Sequence, residues 1–580
     1  MKFRTAARSA SLAAGTVLEH LGDDPVVLGL QVSRRIPGRV LDPLVRTVER
    51  VAARTVLGPL AAVVRGEKET AERRLTAASS EGAAGRRALH FADVATAAGF
   101  GDLADRLIAA AEPGTRGLPG TLARRRWYDG DMTGAVEVLE SGSRAERRQQ
   151  RRLASELAVF EGWQPILDPV KGYVPNPETV LHILTNSLPH TGSGYAQRTH
   201  SILKAQSERG WTVHAVTRPG YPVQVGKLLA RDIDSIDGVT YNRLLPARLP
   251  FGMQQRLQQQ AELTLALALK TRPAVLHTTT HFVNGLVTAA VAEALGIPWI
   301  YEVRGQLADT WASTRPEEAR SSERYRLFRA CEARVMARAD LVPTLGTVMA
   351  GEIAECGLAP ERIRLLPNAV GESYLEEPLA AAAARRRLGL DTDTELIGTV
   401  SSLVDYEGLD DLITAFSRIA GELPNLNCLI VGDGAAGPRL RAMAEDLGLT
   451  GRVIFTGRVP REQAHLYHQA LDVFVVPRKD LNVTRAVTPL KPVEAMACAR
   501  PVIASALPAL EELVQDKVTG LLVGPSDPRS LAEGISTLMA DPSLRGNLGR
   551  RGRRHVLETR TWGSVAESTV EMYSEVGAGS

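Results

Sequence analysis

The chain has 580 residues, 44% hydrophobic and 23% charged, the balance of an ordinary globular protein with room for roughly three or four domains. Its formal net charge of +3 comes without a long basic run carrying interleaved aromatics, so nothing singles out nucleic acid as a partner. Cys331, Cys356, Cys428 and Cys498 form no CxxC pair, which leaves zinc and dithiol readings without support and suits a reducing compartment.

Residues 1–24 begin basic, but their apolar portion is short and soon broken by charge, and no apolar run in the chain reaches the length of a membrane span. A cytoplasmic protein is expected. Residues 1–165 read as an all-helical N-terminal region rich in alanine and arginine, with apolar residues at helical spacing such as Leu41, Leu44, Val45, Val48, Val51 and Ala52. Residues 126–139 resemble the turn and second helix of a tetratricopeptide-type hairpin, yet such arrays need about three units to bury a core. The expectation is a separate helical unit that supplies a protein contact or a peripheral contact at the inner membrane face. A chain starting near residue 170 should then fold without it.

From 175 to 375 the pattern changes to strands alternating with helices. The predicted strands are 180–184, 211–216, 274–277, 298–303, 341–344 and 363–366, with a helix over 283–295. A second series runs from 376 to 560, with strands at 396–400, 427–431, 453–455, 473–476 and 501–503, followed by a C-terminal helix within 561–580. This alternation means two parallel sheets covered on both faces, and ligands bind beyond the carboxyl ends of such strands. The triplets 232–234 and 391–393, each with two aspartates, fall at no predicted strand end in the cleft. They are read as surface turns, and no metal site is assigned.

Thr488 and Pro489 read as a helix start, with a threonine cap and proline at the first helical position. Lys491 and Glu494 then share one face. A cation near a helix N-terminus is unfavourable in itself, which makes sense if an anion such as a diphosphate lies between them. Glu494, one turn deeper, can accept from the vicinal hydroxyls of a ribose. An ordinary exposed lysine–glutamate pair, with small residues behind it for close packing, is the competing account.

The stretches 398–410, 431–434, 453–460, 471–478, 493–504 and 519–523 have the order and spacing of the retaining GT-B glycosyltransferases of family 4, group 1. The segment 487–494, Val-Thr-Pro-Leu-Lys-Pro-Val-Glu, resembles one subgroup of that family, and Gly192–Gly194, His277 and 366–370 agree upstream. The resemblance covers roughly 175–575 and does not reach the first 160 residues. It implies an α/β GT-B fold: two Rossmann-like doubly wound parallel-sheet domains facing a cleft, preceded by the helical region. The acceptor domain would come first and the donor domain second, with the C-terminal helix returning to the acceptor domain.

The resemblance also implies site roles. Relatives carry two glutamates with seven residues between them. Glu494 matches the second, which holds the nucleotide ribose, and the first falls on Ala486. Relatives place an arginine and a lysine on the loop after the first donor-domain strand, where this chain has Ser402 and Glu407. Arg478, Lys479 and Lys491 are therefore expected to take over the leaving diphosphate. Gly457 and Arg458 match the region that holds the base. Gly432 and Gly434 match a strand end facing the cleft, Gly434 being read as a turn glycine with positive φ. In the acceptor domain, the loop Gly192, Ser193 and Gly194 would approach a phosphate or sugar. His277, at a strand end, would act near the transferred sugar, with His281 as the competing candidate. Glu302 and Arg304 would contact the acceptor or form a structural ion pair.

The function implied is transfer of a sugar from a nucleotide diphosphate-sugar to a hydroxyl of a glycan or lipid-linked acceptor, with retention, in cell-surface polysaccharide or glycoconjugate synthesis. A UDP-sugar is the first choice of donor and GDP-mannose the second, with no tightly bound cofactor and no metal. Ala486, Ser402 and Glu407 keep a non-catalytic GT-B scaffold open as the alternative, and a nucleotide-sugar epimerase is a third reading.

Overall fold

The computed structural model describes residues 55–578 apart from 228, together with 9–15 and scattered positions between 26 and 52. Residues 1–8 and 16–25, and Leu41, Leu44 and Val51 of the expected helical stripe, lie outside the described residues. Among the described residues, no helix is long and apolar enough to cross a membrane.

Two six-stranded sheets organise the chain. The first contains β1 (Thr179–Leu184), β2 (Thr212–Thr217), β3 (Ile233–Ile236), β4 (Val239–Arg243), β5 (Val275–Thr279) and β6 (Trp299–Glu302). Its order is β3-β4-β2-β1-β5-β6, parallel except for the antiparallel pair β3–β4. The short parallel pair β7 (Val342–Thr344) and β8 (Ile363–Leu365) extends it through bridges Ile300–Leu341 and Val303–Thr344. The second sheet contains β9 (Glu395–Val400), β10 (Leu426–Val431), β11 (Val453–Gly457), β12 (Val473–Val476), β13 (Val502–Ser505) and β14 (Gly520–Val523), in the order β11-β10-β9-β12-β13-β14, all parallel. Strands such as β1, β5 and β12 are buried along their whole length, which is why they read as continuous apolar runs. The second order reverses between β9 and β12, and a ligand crevice forms at the carboxyl ends on either side of such a switch point.

The triplet at 232–234 is not a surface turn. It leads into β3, where the Asp234 carboxylate accepts from Arg243 Nε at 2.7 Å and stands 3.0 Å from His190 Nε2. The β3–β4 hairpin turns through Asp237 and Gly238 with φ of 48° and 80°, the left-handed pair that tight hairpins require and Asp-Gly supplies. Residues 391–393 do form a surface bend, in which the Asp393 N–H donates to the Asp391 carboxylate at 2.9 Å.

The chain crosses between the sheet domains at 369–371 and returns at 559–562. The crossings are tied together: the Val370 N–H donates to the Arg560 carbonyl at 3.0 Å and the Trp562 N–H to the Val370 carbonyl at 3.2 Å. Helix Trp562–Glu575 then packs on helix Gly194–Glu208, and its Tyr573 and Met572 share a core with Val180 and Leu184.

Helices Leu57–Arg65, Lys68–Ser80, Gly85–Ala98 and Gly101–Ala109 enclose a core around Leu75, Phe91 and Leu107. Leu118–Asp129 and Met132–Glu137 form a tight pair whose turn residue Asp131 accepts from the Gly134 N–H at 2.9 Å. Ser143 and Glu146 then form a capping box that starts helix Arg144–Glu161. This helical region packs into the first sheet domain. Leu157, Val159 and Phe160 of its last helix lie in one core with Phe282, Phe328 and Cys331 of the first sheet domain. The Phe160 ring sits 5.2 Å from Phe282 and 5.7 Å from Phe328.

Phe160→Ala is accordingly expected to cost about 3–5 kcal/mol of stability, read as a lowered thermal unfolding midpoint. A chain beginning at Gly172 bares Phe282 and Phe328 and is expected to be recovered insoluble. Soluble, cooperatively unfolding protein from 172–580 would contradict this account of the core.

Candidate active site

The crevice at the switch point is shaped by the loop after β9. Two glycines let it press against its neighbours. Gly408 has φ 69°, and a Cβ there would fall 1.8 Å from the Pro477 carbonyl of the loop after β12. Gly432, after β10, has φ 135°, and its Cβ would fall 1.8 Å from the Ser401 carbonyl. Ser401, Glu407 and the residues after β12 are thereby brought together. Gly434 does not have the positive φ expected of it; a side chain is excluded there by the Leu403 backbone, 2.2 Å from an added Cβ.

Glu407 is buried at the centre of this arrangement. Its carboxylate accepts from Lys491 Nζ at 2.6 Å and Arg478 Nη2 at 3.1 Å, while Lys491 also donates to Ser401 Oγ at 2.7 Å and Arg478 to the Val487 carbonyl at 3.0 Å. Burial alone would raise the Glu407 carboxyl, but Arg478 and Lys491 outweigh it and hold it at about 2. Burial pulls the Lys491 ammonium down from its usual range, and Glu407 opposes that pull. Lys479 lies outside this cluster. It pairs with Asp411 at 2.6 Å and Asp410 at 3.2 Å, the first acidic residues of helix Leu409–Ile419.

The helix carrying Lys491 and Glu494 spans Lys491–Ala497, so Thr488 is not its cap and Pro489 is not its first residue. Leu490 occupies the cap position without a side-chain hydrogen bond. The Thr488 carbonyl instead accepts from Asn368 Nδ2 at 2.8 Å, a contact that crosses from the first domain. Pro492 remains within the first turn, where its missing N–H is tolerated. Glu494 is half-buried one turn on, 3.5 Å from His468 Nε2, and Ala486 is buried on the short helix Asn482–Ala486. Gly457 ends β11 with φ 71°, its carbonyl accepting from the Gly432 N–H at 3.0 Å, and Arg458 beyond it is exposed.

In the first sheet domain, Ser193 of the Gly192–Gly194 loop caps helix Gly194–Glu208 by accepting from the Ala196 N–H at 3.3 Å. His277 is not at a strand end. It lies mid-strand in β5, 1% exposed, with Nδ1 2.6 Å from the Tyr573 hydroxyl and its ring stacked on His182 at 4.7 Å. It ties the C-terminal helix to the sheet, and its Nε2 stands 3.7 Å from Glu302 at the end of β6. His281 caps helix Phe282–Leu295, accepting from the Val283 N–H at 3.4 Å, and its burial against Phe282 and Phe328 lowers its pKa to about 4, so it is neutral at physiological pH. Glu302 and Arg304 form a buried ion pair with a third member that sequence reasoning missed. Arg198 donates to Glu302 at 2.7 Å and reaches the Leu366 and Pro367 carbonyls and Asn368 Oδ1. Burial would raise Glu302, but Arg304 and Arg198 hold it well below the carboxylate range. The only signal for Arg198 was its place one turn into the helix after the Gly-Ser-Gly loop.

Residues 381–555 match the family model of glycosyl transferases group 1, and residues 193–369 match that of the glycosyl transferase 4-like domain. The chain is 32% identical over 254 residues to a D-inositol 3-phosphate glycosyltransferase of Acidothermus cellulolyticus, covering 42% of this chain and 55% of that one. It is 32% identical over 212 residues to a GDP-mannose-dependent alpha-(1-6)-phosphatidylinositol monomannoside mannosyltransferase of Mycolicibacterium smegmatis, covering 36% and 55%. The chain thus spans about half the length of these curated relatives. In fold it is similar to a sucrose-phosphate synthase from Thermosynechococcus elongatus, with a TM-score of 0.58 and 23% identity over 69% of this chain and all of that one. The Anabaena protein HepE, solved with UDP and glucose, gives a TM-score of 0.54 at 17% identity, covering 69% and 100%. The fold is GT-B, and the comparisons support the group 1 glycosyltransferase family for residues 193–555.

Replacing Glu407 by glutamine leaves two buried cations without their counter-charge and is expected to cost about 3–5 kcal/mol of unfolding free energy. Because the folded pKa is depressed, the carboxylate's contribution is complete above about 4.5 and is lost as pH falls from there toward about 2. The gap between wild type and Glu407→Gln should therefore be constant near neutrality and narrow over that acid window in denaturant titrations. A gap independent of pH would overturn the assignment.

Proposed function

We propose that the protein transfers a hexosyl group from a nucleotide diphosphate-sugar to a hydroxyl acceptor with retention at the anomeric carbon, serving glycan or glycolipid synthesis at the cell surface. The observation that carries this reading is the pair of cations, Arg478 and Lys491, gathered on Glu407 at the carboxyl ends of β9 and β12. Lys491 has three N–H donors, of which Ser401 and Glu407 take two, leaving one for a phosphate oxygen. Departure of the diphosphate builds negative charge, and cations already fixed in place stabilise it without reorganising. Glu494 follows on the same helix and is assigned to the ribose hydroxyls. Backbone groups of the loop 505–509 replace the sugar contact that Ala486 cannot make.

A UDP-sugar remains the first choice of donor, with GDP-mannose second. The solved neighbour with UDP and the GDP-mannose-dependent relative support a nucleotide-sugar in either form. The names of the curated relatives favour a phosphorylated or lipid-linked polyol acceptor. One observation favours a second reading: Glu407 neutralises part of the cation charge and Ala486 offers no side-chain acceptor, as in a scaffold that binds nucleotide without turnover.

Lys491→Ala is expected to weaken UDP binding by about 1.5–3 kcal/mol in calorimetry, and an unchanged affinity would remove Lys491 from the site. Glu494→Gln should weaken UDP more than free pyrophosphate, and equal losses would show that the carboxylate does not address the ribose. The deciding assay incubates the wild type with a panel of nucleotide sugars and hydroxyl acceptors and reads the anomeric configuration of the product by NMR. Tight nucleotide binding with neither transfer nor hydrolysis would favour the scaffold.

A further inference from the structure

A second cavity of ≈ 270 Å³ lies between the N-terminal helices and the first sheet domain, just below the ~300–1,000 Å³ range of small-molecule sites. Trp127 and Tyr128 reach it from helix Leu118–Asp129, and Trp311 from helix Leu307–Ala312. Arg315 is held between them, 4.5 Å over the Tyr128 ring and 4.4 Å over Trp311. Arg324 lies 5.6 Å over Trp127 and 5.7 Å over Trp311.

The charge of the lining is unbalanced. Four guanidiniums share it with one carboxylate, Asp93, which Arg124 already holds in a two-pronged pair. Glu156 lies 3.6 Å from Arg324 and 3.8 Å from Arg152. Burial lowers the pKa of both Arg315 and Arg324, a penalty that a bound anion relieves. Two lining residues, Thr96 and Arg324, carry buried polar atoms, Oγ1 and Nε, without a hydrogen-bond partner. Arg315 is fixed against the rings by donating from Nε to the Tyr128 carbonyl at 3.1 Å and from Nη1 to the Trp311 carbonyl at 2.7 Å and Thr314 Oγ1 at 3.1 Å.

We infer that this cavity is a subsite for an acidic sugar residue of the acceptor glycan, a hexose ring bearing a carboxylate. The inference rests on the glycosyl-transfer reading. The aromatic side chains give such a ring an apolar wall, and a planar guanidinium pairs with its carboxylate. Helix Leu307–Ala312 connects the subsite to the cleft. It begins beside Gly305, where an added Cβ would meet Tyr195 and Val487 of the two domains. It touches helix Asn482–Ala486 of the donor domain and carries Trp311 near its far end. Its length is about 9 Å at ~1.5 Å per residue, so a glycan seated in the cavity extends toward the cleft.

The test titrates the full-length protein with D-glucuronate, D-glucose, inorganic phosphate and, in separate runs, UDP, following heat and tryptophan fluorescence. Glucuronate is expected to bind in the millimolar range and to shift the fluorescence. Glucose and phosphate should each bind at least about tenfold more weakly, since each lacks one half of the recognition. Arg315→Gln should weaken glucuronate about tenfold or more and leave UDP unchanged. Trp311→Phe, which keeps the apolar packing, should lower glucuronate affinity severalfold and serves if the first variant does not fold. Absent glucuronate binding, equal binding of glucose or of phosphate, or affinity unchanged in both variants would overturn the subsite. UDP binding retained without glucuronate binding defeats this inference alone. Glucuronate binding retained without UDP binding supports the subsite and counts against the transfer reaction.

Discussion

A buried guanidinium links the two faces of the cleft through Asn368. Arg198 pairs with Glu302 at the end of β6 and donates to the Leu366 and Pro367 carbonyls and to Asn368 Oδ1, at the point where the chain leaves the first domain. Asn368 in turn donates to the Thr488 carbonyl, three residues before Lys491. The side chain that fixes the acceptor-domain strand end thus also fixes the approach to the donor-domain helix. Burial lowers Arg198 to about 10, which leaves it charged at neutral pH. A pair in this setting adds little net stability over apolar packing, but losing one member strands a buried charge. Its value here is geometric: it holds Asn368 where the amide reaches the Thr488 carbonyl.

The donor crevice repeats that logic with opposite sign. Relatives by resemblance place cations on the loop after the first donor-domain strand, whereas here that loop supplies the anion, Glu407, and the cations come from the crossover after β12. Gly408 and Gly432 make the exchange possible, because any side chain at either would strike a neighbouring carbonyl. Lys479 follows Arg478 directly but faces Asp410 and Asp411, so adjacency in sequence did not place both cations in one site.

The parallel strands were legible because strands buried on both faces are continuous apolar runs. What was misread shares a physical cause: alternation along a strand and capping at a helix are decided by neighbours the sequence does not name. In β5 every residue is buried, so apolar pattern alone could not say whether His277 or the end of the strand meets the cleft. Thr488 has the chemistry of a cap, but its carbonyl is drawn to Asn368 and the helix starts later. The β3–β4 hairpin is written in Asp237-Gly238 between alternating residues, a local antiparallel signal inside an otherwise parallel series. Leu157, Val159 and Phe160 read as an ordinary helix stripe, and nothing local shows that their partners lie more than a hundred residues on, at Phe282 and Phe328.

The contacts between domains bear on how the cleft can work. The donor domain is tethered where Val370 pairs with Arg560 and Trp562, and a second link lies at the rim, where the Glu512 carboxylate accepts from the Thr347 and Val348 N–H groups at 2.8 Å and 2.7 Å. These are the orphan donors at the start of helix Thr347–Glu355, which gains from an anion there. A rotation about the tether that opens the rim uncovers both the helix end and the carboxylate, so the open form must recover that energy from water or from ligand. Through Phe160 the last of the N-terminal helices shares the core of the first sheet domain, and the cavity lined by Trp127, Trp311 and Arg315 lies between the helical region and that domain.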